Sequence, residues 1–304
     1  MSNSSGLKRS TKDKLFSLLL TFPALFMTVV FILVPVVDSV LKSFTSYKIR
    51  NIISGKPGTW NNFQNYTKLF HNAKLSQAIG NTFLFVIVVV VVAFIIAMAM
   101  ALILNAGVKG AKIIQGVMMT PWVIPTIISA LIWMWLFQPQ YGLVKYLISI
   151  VTGGRVTDLA VLNNPNTALM GISVAALWKQ VPLMTLLLLA GLQNVPMELL
   201  EAATVDGANR VQQFFNITIP SMKSVITITV SMSIIDNFKQ FPLFWTMTGG
   251  GPDGATTTLA ILSYREAFVS QDLGSGAAVT TIWMLIMIGV IFVYNKVMKK
   301  GETA

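Results

Sequence analysis

The chain has 304 residues, of which 54% are hydrophobic and only 11% are charged, and its mean hydropathy is +0.70. A soluble domain carries about 25% charged residues, so this composition indicates a membrane protein. The net charge of +11 points first to anionic headgroups and loop topology rather than to nucleic acid. The chain contains no cysteine, which excludes a disulfide framework, a thiol nucleophile and a cysteine metal site.

Six apolar runs are long enough, or nearly so, to cross the hydrocarbon core as helices of about 20 residues. In chain order they are Leu15–Val37, Thr82–Leu104, Ile113–Phe137, Ala168–Leu192, Met222–Phe244 and Ala277–Val297. Prolines within these runs are compatible with membrane helices, because neighbouring helices can satisfy the freed backbone groups. The sequence therefore predicts an all-α polytopic membrane protein with six transmembrane helices.

These runs divide the chain into five predicted regions. They are a cytoplasmic N-terminus (1–14), a first transmembrane helix (15–37), an extracytoplasmic loop (38–80), a five-helix transmembrane domain (81–298) and a cytoplasmic tail (299–304). Eleven Lys and Arg residues lie in segments predicted to be inside and nine in segments predicted to be outside. The basic residues before the first run favour an inside N-terminus, but the totals are nearly balanced and do not settle the orientation by themselves.

A polar segment between the fourth and fifth runs, which we call the projecting loop, spans residues 194–220. Asn194 can cap a first helix, and Gly207 is suited to end it. Asn209 and Gln212 then have the spacing of a capping box at the start of a second helix. The pattern predicts a helix, a glycine turn and a short helix between two spans, which is an arrangement typical of a docking device.

The projecting loop resembles the EAA loop of binding-protein-dependent ABC importers. The matching residues are Glu201-Ala202-Ala203, Asp206-Gly207-Ala208, Phe214, Ile217, Ile219 and Pro220. In that family the loop carries a coupling helix that sits in a groove of the cytoplasmic ATPase. The resemblance therefore implies an ATPase-coupling role for Glu198, Glu201, Ala202, Ala203, Asp206, Gly207, Ala208, Phe214 and Pro220.

Other motifs resemble the MalF-type permeases of carbohydrate uptake. They are Asn62-Phe63-Gln64-Asn65-Tyr66-Thr67-Lys68-Leu69-Phe70, Asn164-Pro165-Asn166-Thr167, Leu177-Trp178-Lys179 and Thr248-Gly249-Gly250-Gly251-Pro252. This resemblance implies the type I ABC importer permease fold, a transport subunit rather than an enzyme, and a sugar substrate, with oligosaccharides favoured.

The same resemblance implies partners and a location. The partners are a second homologous permease in a heterodimer, two ABC ATPases that bind ATP and Mg, an extracytoplasmic solute-binding protein and membrane lipid, without nucleic acid. The chain itself is expected to hold no cofactor or metal. Its expected location is the cytoplasmic membrane of a bacterium or archaeon, with both termini in the cytoplasm.

Ionisable residues inside membrane spans are functional candidates, because their insertion costs about 2.5–3.5 kcal/mol each. Polar residues of the fifth run recur at i, i+3, i+4 and i+7 and so share one helix face. Amides and carboxylates suit sugar hydroxyls, and aromatic rings suit sugar C–H faces. The resemblance adds that sugar contacts in maltose permeases fall on the fourth and fifth spans, although Leu183 replaces the family's tyrosine. The predicted substrate path consists of Lys179, Gln180, Leu183, Ser233, Asp236, Asn237, Gln240 and Phe241.

Several alternatives stay open on the sequence. Lys179 and Asp236 could instead form a structural pair, with the amides only joining helices. The chain could be a stand-alone carrier or channel that uses the same two residues as a proton or ion relay, or an ABC permease for a non-sugar solute such as glycerol phosphate. An intramembrane hydrolase is disfavoured because the only histidine, His71, lies outside the spans. The chain also lacks a G-x-x-x-x-G-K-[ST] nucleotide motif.

Overall fold

The computed structural model describes residues 5–155 and 160–300, and helices dominate it. Residues 1–4 of the predicted N-terminal region and 301–304 of the predicted tail lie outside the described residues. The first half contains α1 (Ser5–Thr28), α2 (Val34–Ser43), β1 (Thr45–Ser46), α3 (Ile49–Ser54), β2 (Thr59–Trp60), α4 (Gln64–Phe70), α5 (Ala73–Asn105), α6 (Ala111–Met118), α7 (Thr120–Val123), α8 (Thr126–Leu136) and α9 (Leu143–Val151). The second half contains α10 (Ala168–Gln193), α11 (Met197–Val205), α12 (Arg210–Gln213), α13 (Ile219–Ser221), α14 (Lys223–Phe238), α15 (Pro242–Met247), α16 (Leu259–Tyr264) and α17 (Leu273–Lys300). Single π-helical turns join α1 to α2, α12 to α13 and α16 to α17.

Four stretches of the described chain are long and apolar enough to cross a membrane as continuous helices. They are Phe16–Ser43, Ala73–Asn105, Ala168–Gln193 and Leu273–Met298. They correspond to the first, second, fourth and sixth apolar runs. The number of spans becomes six when two bent helix pairs are each counted as one.

The third apolar run is one of these bent pairs, because prolines interrupt it. The helices α6 and α7 meet α8 at an angle of 94°. Ile124 lies between them with ψ of 132°, which is the extended geometry that a following proline favours. Pro125, with φ of −53°, is the residue just before the start of α8 at Thr126. The run is therefore a corner rather than one continuous helix.

The fifth apolar run is also interrupted. Helix α14 ends at Phe238, and α15 begins at Pro242, where a proline is tolerated because the first helical N–H has no intrahelical partner. At its other end, α14 meets the helices of the projecting loop at 72°. The predicted span Met222–Phe244 is thus a 16-residue helix followed by a short second helix.

The centre of the bundle is the packing of α5 against α10. Ala93, Ala97 and Ala101 recur every four residues on α5 and are fully buried. They cluster with Met184 and Leu188 of α10. Small residues let two membrane helices approach closely, so this alanine face fixes α10 against α5.

Residues 44–70 form a compact unit between the first two spans, which we call the loop module. Its strands β1 and β2 pair antiparallel, with Thr45 opposite Trp60. The Asn65 side-chain amide donates to the backbone oxygens of Ser43 and Thr45 at 2.8 and 3.0 Å. The predicted loop 38–80 is therefore shorter than expected, because α2 extends to Ser43 and α5 begins at Ala73.

The loop module is fixed to the start of α17 at Gly274. The backbone N–H of Gly274 donates to the oxygen of Tyr47 at 2.8 Å. A Cβ at position 274 would overlap the backbone oxygen of Thr45, which cannot rotate away as a side chain could. The absence of a side chain at Gly274 is therefore what lets α17 and β1 approach.

We predict that Gly274→Ala loosens this contact. Overpacking typically costs about 1–3 kcal/mol, so the melting temperature of the purified protein in detergent should fall by several degrees. The matched control is Gly289→Ala in the same helix, where an added Cβ meets nothing within 4 Å. Equal melting temperatures for the two variants would contradict the assigned role of Gly274.

Candidate functional site

A polar cavity of about 380 Å³ lies between α10, α14 and the corner of the third apolar run. Its lining combines amides, hydroxyls and charged groups with apolar side chains. The lining residues are Trp122, Thr126, Ala176, Lys179, Gln180, Leu183, Met184, Leu187, Thr229, Met232, Ser233, Asp236, Asn237, Lys239 and Gln240. The structure thus brings together seven of the eight residues of the predicted substrate path.

A hydrogen-bonded network joins α10 to α14 at the cavity. The Gln180 amide donates to the Ser233 hydroxyl at 2.8 Å, and the Asn237 amide donates to the Gln180 oxygen at 2.9 Å. Asn237 also donates to the backbone oxygen of Ser233 at 2.9 Å. Ser233 and Asn237 are buried, whereas Gln180 is half-buried. Each amide has both donor and acceptor groups, so the network can hold the helices together and also bind a polar solute.

Lys179 bonds to backbone carbonyls and not to Asp236, the partner considered in the sequence analysis. Its ammonium donates to the backbone oxygens of Trp122, at 3.2 Å, and Ile124. Both carbonyls lie at the break between α7 and α8, where the helical ladder is interrupted and carbonyls lose their usual donors. The possible structural pairing of Lys179 with Asp236 is therefore wrong, because Lys179 instead supports the corner.

Asp236 forms its ion pair with Lys239 at 2.9 Å. Both side chains are more than half exposed. An exposed ion pair contributes only about 0–1 kcal/mol, so this pair supplies charge at the edge of the cavity rather than a strong structural link.

The last two residues of the predicted path lie beyond the end of α14. Gln240 still lines the cavity, although it follows the helix end rather than continuing the helical stripe. Phe241 does not line the cavity and instead stacks on Trp245 at 5.7 Å and packs against Tyr264 at 5.1 Å. The expected helical register fails here because α14 ends at Phe238, four residues before Pro242.

The projecting loop has most of its predicted local structure. Gly207 has φ of +84° and follows Asp206, the residue that caps the end of α11. The capping box is present, with Gln212 N–H donating to the Asn209 side chain at 2.9 Å and Asn209 N–H donating to the Gln212 side chain at 2.8 Å. The expected cap at Asn194 is wrong, because its amide donates back to the oxygen of Ala190 in α10.

The residues predicted to couple to an ATPase form a largely exposed surface. Exposed members are Glu198, Glu201, Ala202, Asp206, Gly207 and Pro220, and half-buried members are Ala203, Ala208 and Phe214. Large apolar side chains are exposed beside them, including Met197 and Val205 at 69% and 89%. Both acidic residues of α11 and its apolar side chains are therefore available to a partner.

One contact in this loop was not predicted. The Gln213 amide donates to the Thr204 hydroxyl at 2.9 Å and to the Ala208 oxygen at 3.0 Å. It links α11 to α12 across the glycine turn and keeps the two helices in one arrangement. A nine-residue separation between these polar side chains carries no periodic signal, so sequence reasoning could not find the pair.

Other cavity residues also escaped prediction. Thr229 lies one turn before Ser233, so extending the polar stripe by four residues would have identified it. Trp122 and Thr126 join the cavity only because the chain turns between them. In the described part of the chain no group of three or more His, Cys, Asp and Glu residues could hold a metal ion.

Comparison with known proteins identifies the family. Residues 93–300 match the model of the family described as binding-protein-dependent transport system inner membrane component. This match covers the corner, the cavity helices and the projecting loop. The chain belongs to this family. It is therefore an inner membrane component of a transport system, a transport subunit rather than an enzyme.

Similar proteins extend the match to nearly the whole permease. The trehalose/maltose transport system permease protein MalF of Thermococcus litoralis is 33% identical over 297 residues, covering 98% of both chains. The sulfoquinovosyl glycerol transport system permease protein SmoG of Agrobacterium fabrum is 31% identical over 290 residues, covering 95% of this chain and 92% of SmoG.

A solved structure shows the same fold. The crystal structure of a bacterial ABC transporter involved in the import of the acidic polysaccharide alginate contains a chain with a TM-score of 0.80 at 19% identity. The match covers 97% of the permease and 98% of that chain. The predicted type I ABC importer permease fold is therefore confirmed.

We predict that Lys179→Met destabilises the permease, because the carbonyls of Trp122 and Ile124 lose their shared donor. An unsatisfied buried polar group costs about 1–3 kcal/mol, which should lower the melting temperature in detergent. The matched control, Lys239→Met, removes an exposed ion pair worth at most about 1 kcal/mol. If Lys239→Met lowers the melting temperature as much as Lys179→Met, the corner does not depend on Lys179.

Proposed function

We propose that this permease is one of two membrane subunits of an ATP-driven ABC importer for sugars, and that its polar cavity lines the substrate path. The observation that carries the proposal is the network of Gln180, Ser233 and Asn237 at a cavity between two membrane helices. Polar side chains inside a membrane span are costly and therefore usually serve a pairing or transport role.

The chemistry of the cavity suits a carbohydrate. Amide and hydroxyl groups can exchange hydrogen bonds with sugar hydroxyls, while Leu183, Leu187 and Trp122 supply apolar surface. Its volume of about 380 Å³ lies within the range of roughly 300–1,000 Å³ for small-molecule sites. The names of MalF and of the alginate importer further support sugars, and they favour oligosaccharides.

A second permease would complete the path. The cavity of this chain is built on one side by α10 and α14 and by the corner near Trp122. We infer that a homologous subunit supplies the facing wall in a heterodimer. The family name supports the further partner, an extracytoplasmic binding protein that delivers the sugar.

The projecting loop is the proposed contact with the ATPase. It emerges from α10 and leads into α14, so the two helices that flank it are those that line the cavity. Two ATPase subunits that bind ATP and Mg would hold this loop and its counterpart in the partner. Their closure would draw the loops together and tilt the cavity helices toward the outward-open state. In this arrangement the projecting loop and both chain termini face the cytoplasm.

A stand-alone carrier is disfavoured by the same contacts. A proton or ion relay between Lys179 and Asp236 needs the two groups to face each other, yet each has another partner. Glycerol phosphate is the non-sugar substrate that stays open. Competition of unlabelled glycerol phosphate with labelled oligosaccharide uptake by the assembled transporter separates the two substrate classes.

One test of the proposed function concerns the cavity. Gln180→Ala and Asn237→Ala each remove a hydrogen-bonding partner worth about 1–3 kcal/mol, which is roughly a ten- to hundredfold loss in affinity. Sugar uptake per assembled complex should therefore fall in proteoliposomes that contain the binding protein and ATPase.

The matched control is Ser231→Ala on the same helix. Ser231 contacts Asn295 of α17 and does not line the cavity. Polar residues that only join helices would lower the melting temperature and leave uptake per assembled complex unchanged. That result for Gln180→Ala and Asn237→Ala would remove them from the path.

Another test of the proposed function concerns Gly207. A side chain there meets no atom within 4 Å, but φ of +84° strains an L-residue. Gly207→Val should therefore distort the turn and reduce the sugar imported per ATP hydrolysed, while membrane insertion is retained. Gly207→Asn is the control, because asparagine tolerates the left-handed conformation. Normal coupling in Gly207→Val would contradict this role.

A further inference from the structure

The loop module carries an unbalanced positive charge. Residues 44–70 contain four basic residues, Lys48, Arg50, Lys56 and Lys68, and no Asp or Glu. Lys42 and Lys74 flank the module, and the wider stretch 39–80 also lacks Asp and Glu. Lys42 pairs with Asp38 at 2.6 Å, and in the described part of the chain no carboxylate lies within 4 Å of the other five cationic groups. The carboxylate of Asp272, on the adjoining segment, accepts from the N–H of Ser275.

Large apolar side chains are exposed on the same module. Ile52 and Ile53 are 58% and 82% exposed, and Trp60 is 60% exposed. Arg50 and Ile53 lie one turn apart on α3 and therefore share a face. The backbone N–H of Ile49, at the start of that helix, donates to the Gln271 oxygen. The exposed surface of α3 is thus both cationic and aliphatic.

The position of the module follows from its connections. It begins immediately after the candidate span Phe16–Ser43 and ends just before the candidate span Ala73–Asn105. Phe44 packs on Trp60 at 5.5 Å, and the hydroxyls of Ser43 and Tyr66 are hydrogen-bonded at 2.6 Å. The first contact lies within the module, and the second ties the module to the end of the candidate span Phe16–Ser43. A module at the end of a span would lie near the membrane surface.

This surface lies at the end of the bundle opposite the projecting loop. The start of α17 contacts the loop module at Tyr47. At the other end of α17, Met298 packs in the cluster that contains Leu192 and Met222, which flank the projecting loop. The basic residues of the module therefore lie at the end of the bundle away from the proposed ATPase contact.

We propose that the loop module is a membrane-interface anchor that binds anionic phospholipid headgroups. Ile52, Ile53 and Trp60 would enter the boundary between headgroups and acyl chains, where amphipathic aromatic and aliphatic surfaces are stable. Arg50 and Lys56 would contact lipid phosphates, for which a guanidinium is well suited.

A lipid surface explains these observations better than an acidic protein does. An acidic protein would account for the positive charge, but not for the exposed Ile52 and Ile53 on a module whose two ends lead into candidate membrane spans. Long basic side chains at such a position keep their charge at the interface while their aliphatic stems cover apolar surface. Charge, apolar exposure and chain connectivity therefore point to the same occupant.

The first experiment measures the depth of the module in the membrane. Because the chain contains no cysteine, Ile53→Cys provides a single site for a nitroxide spin label. The labelled permease is placed in nanodiscs of phosphatidylcholine with or without phosphatidylglycerol, and oxygen and a nickel chelate are compared as relaxing agents. Val205→Cys is the control, since Val205 is 89% exposed on the projecting loop.

We expect the label at position 53 to be accessible to oxygen and protected from the chelate when phosphatidylglycerol is present, and the label at position 205 to be accessible to the chelate. Equal chelate access at the two positions would overturn the proposal. Protection at position 53 that is independent of phosphatidylglycerol would overturn the headgroup assignment. Protection that appears only when the binding protein is added would assign the surface to that protein instead.

The second experiment tests the charges. The double variant Arg50→Gln, Lys56→Gln is made in permease that carries the label at position 53. Its binding constant for phosphatidylglycerol should fall about 30-fold, because each basic residue near an anionic surface contributes roughly a fivefold change. The readouts are lipid retention by native mass spectrometry and label depth. The control is the double variant Lys109→Gln, Lys112→Gln, which changes two exposed lysines elsewhere in the chain. It should leave the depth of the label at position 53 unchanged. An equal effect of both pairs on label depth would overturn the proposal.

Discussion

Lys179 satisfies backbone carbonyls at a point where an apolar run turns through 94°. Inside a membrane an unsatisfied backbone group costs several kcal/mol, so a helix can bend this sharply only if another group replaces its lost donors. The ammonium of Lys179 does so for Trp122 and Ile124. The corner then brings Trp122 and Thr126 against α10, and the cavity wall exists because of that contact.

The polar groups at the cavity join two helices, and in the proposed substrate path the same groups would also bind the solute. Ser233 and Asn237 are buried on α14 and bonded to Gln180 of α10, so α10 and α14 are joined where the solute would pass. A bound sugar can exchange hydrogen bonds with these amides without leaving them unpaired. The exposed ion pair of Asp236 and Lys239 is neutral overall and lies at the edge of the cavity. The ammonium of Lys179, which is bonded to carbonyls, adds a positive charge to the cavity lining.

The two ends of the bundle differ in chemistry. The projecting loop presents Glu198 and Glu201 beside exposed apolar side chains, and it is continuous with both cavity helices. The loop therefore connects directly to the helices that carry Gln180 and Asn237. The loop module at the other end is cationic and is fixed to α17, whose packing at Gly274 leaves no room for a side chain. The two ends of the bundle thus present an acidic and apolar surface and a cationic surface.

Sequence alone determined the membrane class, the apolar runs and most of the local structure of the projecting loop, because these depend on composition and on short-range geometry. The positive φ at Gly207 and the capping box at Asn209 follow from neighbouring residues. The polar pattern and the family resemblance together also predicted seven of the fifteen residues that line the cavity. Tertiary structure decided how the polar side chains are paired and where the helices bend. Lys179 meets carbonyls 55 and 57 residues away, and Phe241 leaves the polar face because α14 ends before Pro242. Such partners are set by long-range packing, which carries no periodic signal along the chain.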